Sequence, residues 1–189
     1  MSVALKQMTG GEFLIRAEAR QGRWELISGE PVKLASETLL HVGTKGEACI
    51  ALRDAMRSAG SPGQVFLGGM AVSVDAETVY DPDVSVVTGP RLSGDALSID
   101  NPVIVVEVLS PSTAAIDHGP KLSGDFSLPS VEHYLILDPD RRVLIHHKRG
   151  QGDAIETRVR TDGIVKLDPP GFEIAVAAMF PEAVPTRSG

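Results

Sequence analysis

The chain has little cysteine, few aromatic residues and no excess of positive charge. Cys49 is the single cysteine in 189 residues, so the chain can form neither an internal disulfide nor a cysteine-based zinc site. Aromatic residues make up 4% of the sequence, too few to predict a surface that stacks the bases of single strands. The formal net charge of −7 argues against a surface generally attracted to nucleic acid or membranes. It leaves room for a local basic groove or a phosphate site bridged by a metal.

Long apolar runs and a leader pattern are also missing. No run approaches the roughly 20 residues of a membrane-spanning helix, and the N-terminal residues lack the pattern of a secretory signal. Hydrophobic residues nevertheless make up 42% of the chain, which is enough for a packed core. The length suits one domain and is short for two. We therefore expect a cytoplasmic protein with a single domain over residues 1–180 and a flexible tail over residues 181–189.

Hydrophobic periodicity and turn residues predict helices and a hairpin in the first third of the chain. A short helix is expected within residues 6–20, and a hairpin that turns at residues 28–29. A longer helix is expected over residues 36–56, capped by its first residue. Gly43 and Gly46 are unfavourable inside a helix, so they suggest that one face packs closely on a sheet or a partner helix, as in a homodimer.

The rest of the chain predicts a mostly antiparallel sheet with one short helix inserted, over residues 120–128. Residues 88–100 are predicted to be a loop. The strands are expected at residues 64–67 and 70–74 as a meander, then at 84–87, 103–109, 133–137 and 142–147, with 154–160 and 163–167 as a further pair. This order indicates an α+β, or mixed α/β, fold.

Residues 103–109 form a nearly continuous β-branched run that contains one charged residue, Glu107. Such a run is typical of a strand covered on both faces in the middle of a sheet. A carboxylate in that setting costs several kcal/mol unless it is paired, protonated or bound to a metal. Glu107 is therefore the strongest functional clue in the sequence.

Asp83 is the second candidate, because it follows Pro82 at the expected start of a strand. Neighbouring strands lie about 4.8 Å apart, so Asp83 and Glu107 at matching heights can share one divalent cation. Carboxylate oxygens suit Mg²⁺ or Mn²⁺. Such a cation activates water and holds a phosphate oxygen, while a nearby lysine orients or deprotonates that water. The alternative is that Asp83 caps a loop and Glu107 pairs with a lysine for structural reasons.

Several short stretches carry a family resemblance. They are Pro82-Asp83, Glu107-Val108-Leu109-Ser110-Pro111-Ser112-Thr113, Asp117 with Lys121, and Tyr134-Leu135-Ile136-Leu137-Asp138-Pro139, together with residues 24–30 and His41. These stretches resemble the Uma2 family, whose members are regarded as endonucleases of the restriction-endonuclease-like, PD-(D/E)xK fold. The similarity extends over roughly residues 5–180.

The resemblance implies a metal-dependent endonuclease that hydrolyses phosphodiester bonds of nucleic acid, with DNA as the expected substrate. It implies that Asp83 and Glu107 bind Mg²⁺ or Mn²⁺ and that the carbonyl of Val108 completes the metal shell. Leu109 stands where the general nuclease motif has its lysine. By the same resemblance, the lysine comes from the following helix and is Lys121.

The resemblance also assigns Glu25, on the first hairpin, as an additional acidic member of the site. The chain departs from the family around its lysine, since Pro120 stands where relatives tend to have an acidic residue. Residues 124–125 interrupt the expected helix just after Lys121. Lys33 and Lys45 are the conceivable substitutes if Lys121 is displaced.

The histidines have simpler predictions. His41 faces either the sheet or the site, and a buried structural histidine is the favoured interpretation. His146 and His147 are adjacent in a strand, so they point to opposite faces and cannot chelate one ion together. His118 and His133 are predicted to be isolated.

The basic residues at 141, 142, 148 and 149 bracket one strand. They form either an edge for a phosphate backbone or, more commonly, a solvated face. The main alternative to hydrolysis is a non-catalytic module of the same fold that binds proteins or assembles. Hydrolysis predicts that Asp83, Glu107 and Lys121 converge at one open cleft, whereas the alternative tolerates a distorted cleft and expects an apolar surface on the long helix.

Overall fold

The computed structural model describes residues 7–17, 21–109 and 118–182. Within them the chain forms helices α1 (Gly10–Ala17), α2 (Leu39–Ser58) and α3 (His118–Ser127), and a short 3₁₀ helix over Val176–Met179. The strands are β1 (Trp24–Ile27), β2 (Glu30–Lys33), β3 (Gly63–Leu67), β4 (Ala71–Ser73), β5 (Val79–Tyr80), β6 (Val84–Thr88), β7 (Ser98–Ile99), β8 (Ile104–Val108), β9 (His133–Asp138), β10 (Val143–Arg149), β11 (Ile155–Arg160), β12 (Ile164–Leu167) and β13 (Phe172–Ala175).

The larger sheet has the strand order β11-β10-β9-β8-β6-β3, with β8 and β9 parallel and the other pairs antiparallel. One face carries valines and leucines that pack with Leu52 and Met56 of α2 and with β12 and β13. On the other face, Val105 and Tyr134 pack with Phe126 of α3. The sheet is thus covered on both sides, as the β-branched run of β8 predicts, and the fold is α+β.

The smaller sheet has the order β2-β1-β5-β4-β7 and packs against α1 through Phe13, Leu26 and Val79. Its first two strands form the predicted hairpin. Ser28 and Gly29 at the turn have φ of 49° and 78°, the left-handed values that a two-residue hairpin turn requires. The short N-terminal helix is also confirmed, over a narrower range. None of the helices in the described ranges is long and apolar enough to cross a membrane.

The predicted strand pairings are wrong in two places. Strands β3 and β4 are not a meander, because β3 belongs to the larger sheet and β4 to the smaller one. Gly68 and Gly69, with φ of 51° and 68°, redirect the chain between the two sheets. Strands β11 and β12 do not pair either: β11 extends the larger sheet beside β10, whereas β12 pairs with β13 and buries Val165 and Leu167 in the core.

The predicted loop over residues 88–100 contains β7, whose two residues are too few to show a period. The long helix begins later than expected, at Leu39, with Thr38 as its cap: the Thr38 hydroxyl accepts a hydrogen bond from the His41 N–H at 3.2 Å. Gly43 packs closely, but on Pro181 and not on a sheet: an added Cβ would lie 3.2 Å from Pro181 Cγ. At Gly46 an added Cβ would meet nothing within 4 Å in this chain, so packing of that face against a partner helix stays a prediction.

Candidate metal and catalytic site

Strands β6 and β8 bring the two predicted carboxylates together. Val84 pairs with Val106 in an antiparallel register, so the preceding residue, Asp83, lies beside Glu107. Asp83 Oδ2 accepts a hydrogen bond from the Val108 N–H at 2.9 Å. Asp83 and Glu107 are 3% and 8% exposed. The structure thus places two buried carboxylates on neighbouring strands at the same height.

Lys121 reaches this pair from α3. Its Nζ lies 2.9 Å from Glu107 Oε1 and 2.7 Å from Glu25 Oε1. Glu25, on β1, also accepts a hydrogen bond from the Asp81 N–H at 3.0 Å. Pro120 does not displace the lysine, because proline in the first turn of a helix removes an N–H that has no partner within the helix.

Glu37, which sequence reasoning missed, extends the site on its other side. It lies just before the cap of α2 and forms ion pairs with Arg23 and with Lys45, the latter at 2.6 Å. Lys45 Nζ also lies 3.6 Å from Asp83 Oδ1, and Arg23 Nη1 lies 3.2 Å from the same oxygen. Lys45 is therefore a member of the site in addition to Lys121, not a replacement for it.

Asp81 and Arg23, also missed, hold the site's edge together. Arg23 Nε donates to Asp81 Oδ2 at 2.7 Å, and Arg23 Nη2 donates to the Asp81 carbonyl at 2.7 Å. The other carboxylate oxygen of Asp81 accepts from the Gly69 N–H at 2.8 Å. Arg23 is 58 residues from Asp81 in the chain. No local sequence pattern predicts a pair that is so far apart in the chain.

His41 lies in the site. It is 6% exposed, and its Nε2 is 3.2 Å from Asp83 Oδ2 and 3.5 Å from Glu37 Oε1. Neither ring nitrogen makes a well-aligned hydrogen bond within the part of the chain that the structure describes. The prediction that it faces either the sheet or the site thus resolves in favour of the site.

A cavity of about 90 Å³ opens among these side chains. Since a single water needs about 10–15 Å³, the cavity has room for a cation with several waters. The residues that line it are Arg23, Leu34, Ala35, Ser36, Glu37, His41, Asp81, Asp83, Glu107 and Lys121.

The charges of the site are unbalanced. When ionised, Glu25, Glu37, Asp81, Asp83 and Glu107 are five carboxylates, and Arg23, Lys45 and Lys121 are three cations that pair with them. With His41 neutral, two negative charges remain in excess. That excess matches the charge of one divalent cation.

The environment separates the pKa values of the two central carboxylates. Burial alone would raise the pKa of Asp83, but the His41 imidazole, the Val108 N–H and Arg23 outweigh burial and lower it to about 2. Burial raises the pKa of Glu107 to about 7; Lys121 opposes this rise, and the charge of Asp83 reinforces it. At neutral pH Asp83 is therefore ionised, whereas Glu107 holds its proton more strongly than an ordinary glutamate, and a bound cation would favour its ionised form. Such separation is typical of functional carboxylate pairs.

Asp125 adds a buried acid next to the site. It lies one helical turn after Lys121, is fully buried, and neither of its oxygens has a hydrogen-bond partner among the described residues. Burial, followed by the charge of Glu107, raises its pKa well above the usual range. The predicted interruption of α3 at residues 124–125 is wrong. The helix continues to Ser127, with Gly124 packed so closely on Tyr80 that an added Cβ would lie 2.6 Å from its hydroxyl oxygen.

The remaining histidines that the structure describes make contacts away from the site. His133 is not isolated, because its Nδ1 lies 2.8 Å from His146 Nε2 and its Nε2 lies 2.8 Å from the Pro169 carbonyl. His147 points to the opposite face, as predicted, and its Nδ1 lies 2.8 Å from Thr157 Oγ1. The side chain of His118 and the whole of residue 117 lie outside the described residues.

Two of the four residues of the predicted basic edge bind the backbone. Arg149 donates to the carbonyls of Phe126, Leu128 and Val131, and thereby fixes the chain after α3. Arg142 donates to the Pro181 carbonyl. These two arginines therefore have a structural role, and a phosphate-binding edge made of all four residues stays a prediction.

Comparison with known proteins places the chain in a family. The model of the Uma2 family, described as "Putative restriction endonuclease", matches residues 11–177. The uncharacterized protein slr1290 of Synechocystis sp. is 32% identical over 108 residues, which span 57% of this chain and 57% of that protein. The uncharacterized protein sll1609 of the same organism is 26% identical over 136 residues, or 70% of this chain and 76% of that protein.

A solved structure shows the same fold. A crystal structure from Anabaena variabilis ATCC 29413, described as a "putative nuclease belonging to DUF820", superposes with a TM-score of 0.66 and 17% sequence identity. The match covers 88% of this chain and 96% of that one. The fold is thus shared with a nuclease-like structure, and the family model covers most of the chain. This chain therefore belongs to the Uma2 family, whose description is "Putative restriction endonuclease".

Proposed function

We propose that this chain is a metal-dependent endonuclease that hydrolyses phosphodiester bonds of nucleic acid, with DNA as the expected substrate. The observation that carries the proposal is the convergence of Asp83, Glu107 and Lys121 on one cavity. Family membership and the shared fold support the reaction class. A cytoplasmic location and a single domain over residues 1–180 stay predictions.

Asp83 and Glu107 are the proposed ligands of Mg²⁺ or Mn²⁺. Their hard oxygen donors, the cavity and the excess of two negative charges fit a divalent cation. When bound, such a cation supplies an acidified water and neutralises charge on the phosphate. The Val108 N–H donates a hydrogen bond to Asp83. That the Val108 carbonyl is a further ligand of the metal stays a prediction.

Lys121 is proposed to act as a cation. Burial alone would lower its pKa, but the charges of Glu107 and Glu25 outweigh burial and raise the pKa above the usual lysine value. A lysine that stays protonated does not remove a proton from water. In the proposed reaction it donates hydrogen bonds to the attacking water or to the phosphate, and Glu25 holds it in place.

One observation favours the second candidate function, a non-catalytic module for assembly. Helix α2 exposes an apolar strip to solvent, with Leu39, Val42 and Ile50 at 91%, 48% and 45% exposure. A homodimer through this strip is compatible with either function, because the strip is separate from the residues that line the cavity.

The test is cleavage of supercoiled plasmid DNA and of a labelled RNA, with Mg²⁺, Mn²⁺ or EDTA. We expect the wild type to cut in either metal and not in EDTA. Asp83→Asn, Glu107→Gln and Lys121→Met should each lose activity about 100-fold or more, the typical effect of removing a charge-stabilising group. Asp153→Asn, a change at an exposed residue between β10 and β11, is the matched control. Cleavage that survives Glu107→Gln, or a wild type that cuts neither substrate, would contradict the proposal.

A further inference from the structure

We propose that Glu37, His41 and Asp83 form a nitrogen-containing cation site that prefers a first-row transition-metal dication, such as Mn²⁺, over Mg²⁺. The site shares Asp83 with the Asp83–Glu107 pair but recruits its other ligands from α2 and the residue before its cap. Binding at this site is independent of catalysis. Its use in cleavage rests on the function proposed above.

The distances fit a common centre. One ligand atom from each of the three residues lies within 4.8 Å of the others. His41 Nε2 is 3.2 Å from Asp83 Oδ2 and 3.5 Å from Glu37 Oε1. Ligands about 2.0–2.2 Å from one ion lie about 2.8–3.6 Å apart in octahedral or tetrahedral geometry. The two measured edges fall within that range, so a cation requires little movement of the imidazole.

The state of His41 is the second observation. Its ring is buried. Its Nε2 lies 3.2 Å from Asp83 Oδ2 without good hydrogen-bond alignment, and its Nδ1 has no hydrogen-bond partner in the described part of the chain. Buried polar atoms are ordinarily satisfied, and each exception calls for a partner such as an ion. Here Nε2 points between two carboxylates, the surroundings in which a neutral imidazole binds a metal.

The start of α2 explains how the residues meet. The Thr38 side chain caps the helix through the His41 N–H, which leaves Glu37 outside the helix and places His41 in its first turn. Glu37 and His41 are four residues apart, about one helical turn, so their side chains lie on the same side of the start of α2. The cap thus fixes two ligands, and the start of β6 brings Asp83 to them.

Arg23 and Lys45 compete with a cation for these ligands. Both pair with Glu37, and both approach Asp83 Oδ1 at 3.2 and 3.6 Å. Their positive charges weaken binding of any dication, since like charges repel. Removing the charge of Lys45 should therefore strengthen binding.

The donor set determines the preference. Mg²⁺ takes oxygen ligands and keeps several waters, whereas imidazole suits transition metals. Two carboxylates and one imidazole therefore favour Mn²⁺ or Zn²⁺ over Mg²⁺. The Asp83–Glu107 pair has oxygen donors alone, so it should distinguish the two metals less than the site with the imidazole does.

The experiment is calorimetric titration of Mn²⁺ and, separately, Mg²⁺ into the full chain and its variants. Loss of a metal's outer-shell partner typically weakens binding 10–100-fold, so loss of a ligand should do no less. We expect His41→Gln and Glu37→Gln each to weaken Mn²⁺ binding about 10-fold or more. Only His41→Gln, which removes the nitrogen ligand, should also reduce the preference over Mg²⁺. Lys45→Met should strengthen Mn²⁺ binding. His147→Gln, on a strand without site residues, should bind like the wild type.

Unchanged Mn²⁺ affinity in a folded His41→Gln variant would overturn the inference, and so would a wild type with equal affinities for the two metals. If His41→Gln does not fold, Glu37→Gln decides in the same way. Pulsed electron paramagnetic resonance of bound Mn²⁺ gives a readout that does not depend on activity, because it detects coupling to the imidazole nitrogen, which should be present in the wild type and absent in His41→Gln.

The two proposals fail separately. Glu107→Gln should retain the Mn²⁺ preference while losing cleavage. A wild type that prefers Mn²⁺ but cuts no nucleic acid would overturn the proposed function and leave this site standing. A wild type that cuts in Mg²⁺, with no preference and no effect of His41→Gln on binding, would overturn this inference alone.

Discussion

Burial and neighbouring charges act in opposite directions on the two central carboxylates. Burial, the leading influence at both, prevails at Glu107, where a single lysine opposes it, and is outweighed at Asp83, where an imidazole, a backbone N–H and an arginine favour the charge. The environment thus gives adjacent, chemically similar groups different protonation states at neutral pH. It also predicts how the stability of the protein depends on pH.

The first prediction concerns Glu107→Gln in EDTA. A carboxyl whose pKa rises from 4.5 to about 7 on folding contributes stability that is fully present below pH 4.5 and is lost as pH rises through 7. The wild type should therefore lose stability relative to the variant between pH 5 and pH 8, by about 2–3 kcal/mol. Urea unfolding of both proteins across this range measures the difference.

His133 and His146 titrate in the opposite direction. Burial lowers their pKa values to about 4 and 3, so their contribution to stability is present above pH 6.5 and is lost as pH falls. Both proteins share this effect, and it cancels in the difference between them. A difference that does not change with pH would contradict the predicted environment of Glu107.

At the scale of elements, the start of α2 controls half of the site. The second prediction is that Thr38→Ala destabilises the protein by about 1 kcal/mol, because the helix loses its cap. It should also weaken Mn²⁺ binding, since Glu37 and His41 flank that cap. Thr38→Ser, which keeps the hydroxyl, should preserve both properties. Thermal unfolding and calorimetry measure the two effects. Equal losses in the alanine and serine variants would speak against the role of the cap.

The third prediction is that replacing two helix glycines by alanine changes the stability of the protein in opposite directions. Replacing glycine by alanine in a helix interior favours folding by up to about 1 kcal/mol. Gly46→Ala should show that gain, because the new Cβ meets nothing within 4 Å. Gly124→Ala should instead destabilise by about 1–3 kcal/mol, since its Cβ would lie 2.6 Å from the Tyr80 hydroxyl oxygen. Chemical denaturation of both variants checks the pair, and a gain at Gly124 would contradict the close packing of α3.

The elements with strong periodicity were predictable from the sequence. The valines of β8 announce a strand buried on both faces, and Glu107 stands out against them. Glu37, Arg23 and Asp81 were not predictable, because each is an ordinary polar residue near the end of an element. Their roles depend on tertiary pairing between distant segments, such as the contact that joins Arg23 to Asp81. The predicted partners of β4 and β12 were wrong for a related reason, because the sequence of a short strand does not specify which sheet it joins.

At the scale of the whole molecule, the negative charge constrains how the protein meets a polyanion. The formal charge is −7. With every group ionised, the site also has two more carboxylates than paired cations. Attraction to phosphates must therefore depend on the cation and on few basic contacts.

The fourth prediction is that a labelled DNA duplex binds about 10-fold or more weakly in EDTA than in Ca²⁺, a cation that takes oxygen ligands. Fluorescence anisotropy at constant ionic strength measures both affinities. A potassium chloride series should show a shallow decline, because few phosphates are neutralised by side chains. Tight binding in EDTA with a steep salt dependence would instead indicate a basic surface away from the cavity.

The position of Lys121 has a consequence for heat inactivation. Its ammonium joins Glu25 of the smaller sheet to Glu107 of the larger one, so this cluster of charges exists only while the two sheets remain packed together. The strands of the smaller sheet are only two to four residues long. Pairing between its own strands therefore stabilises it less than the pairing within the larger sheet does. Gentle warming that separates the two sheets should abolish the proposed cleavage while the larger sheet is still folded. Loss of cleavage should therefore begin at a lower temperature than loss of the circular dichroism signal.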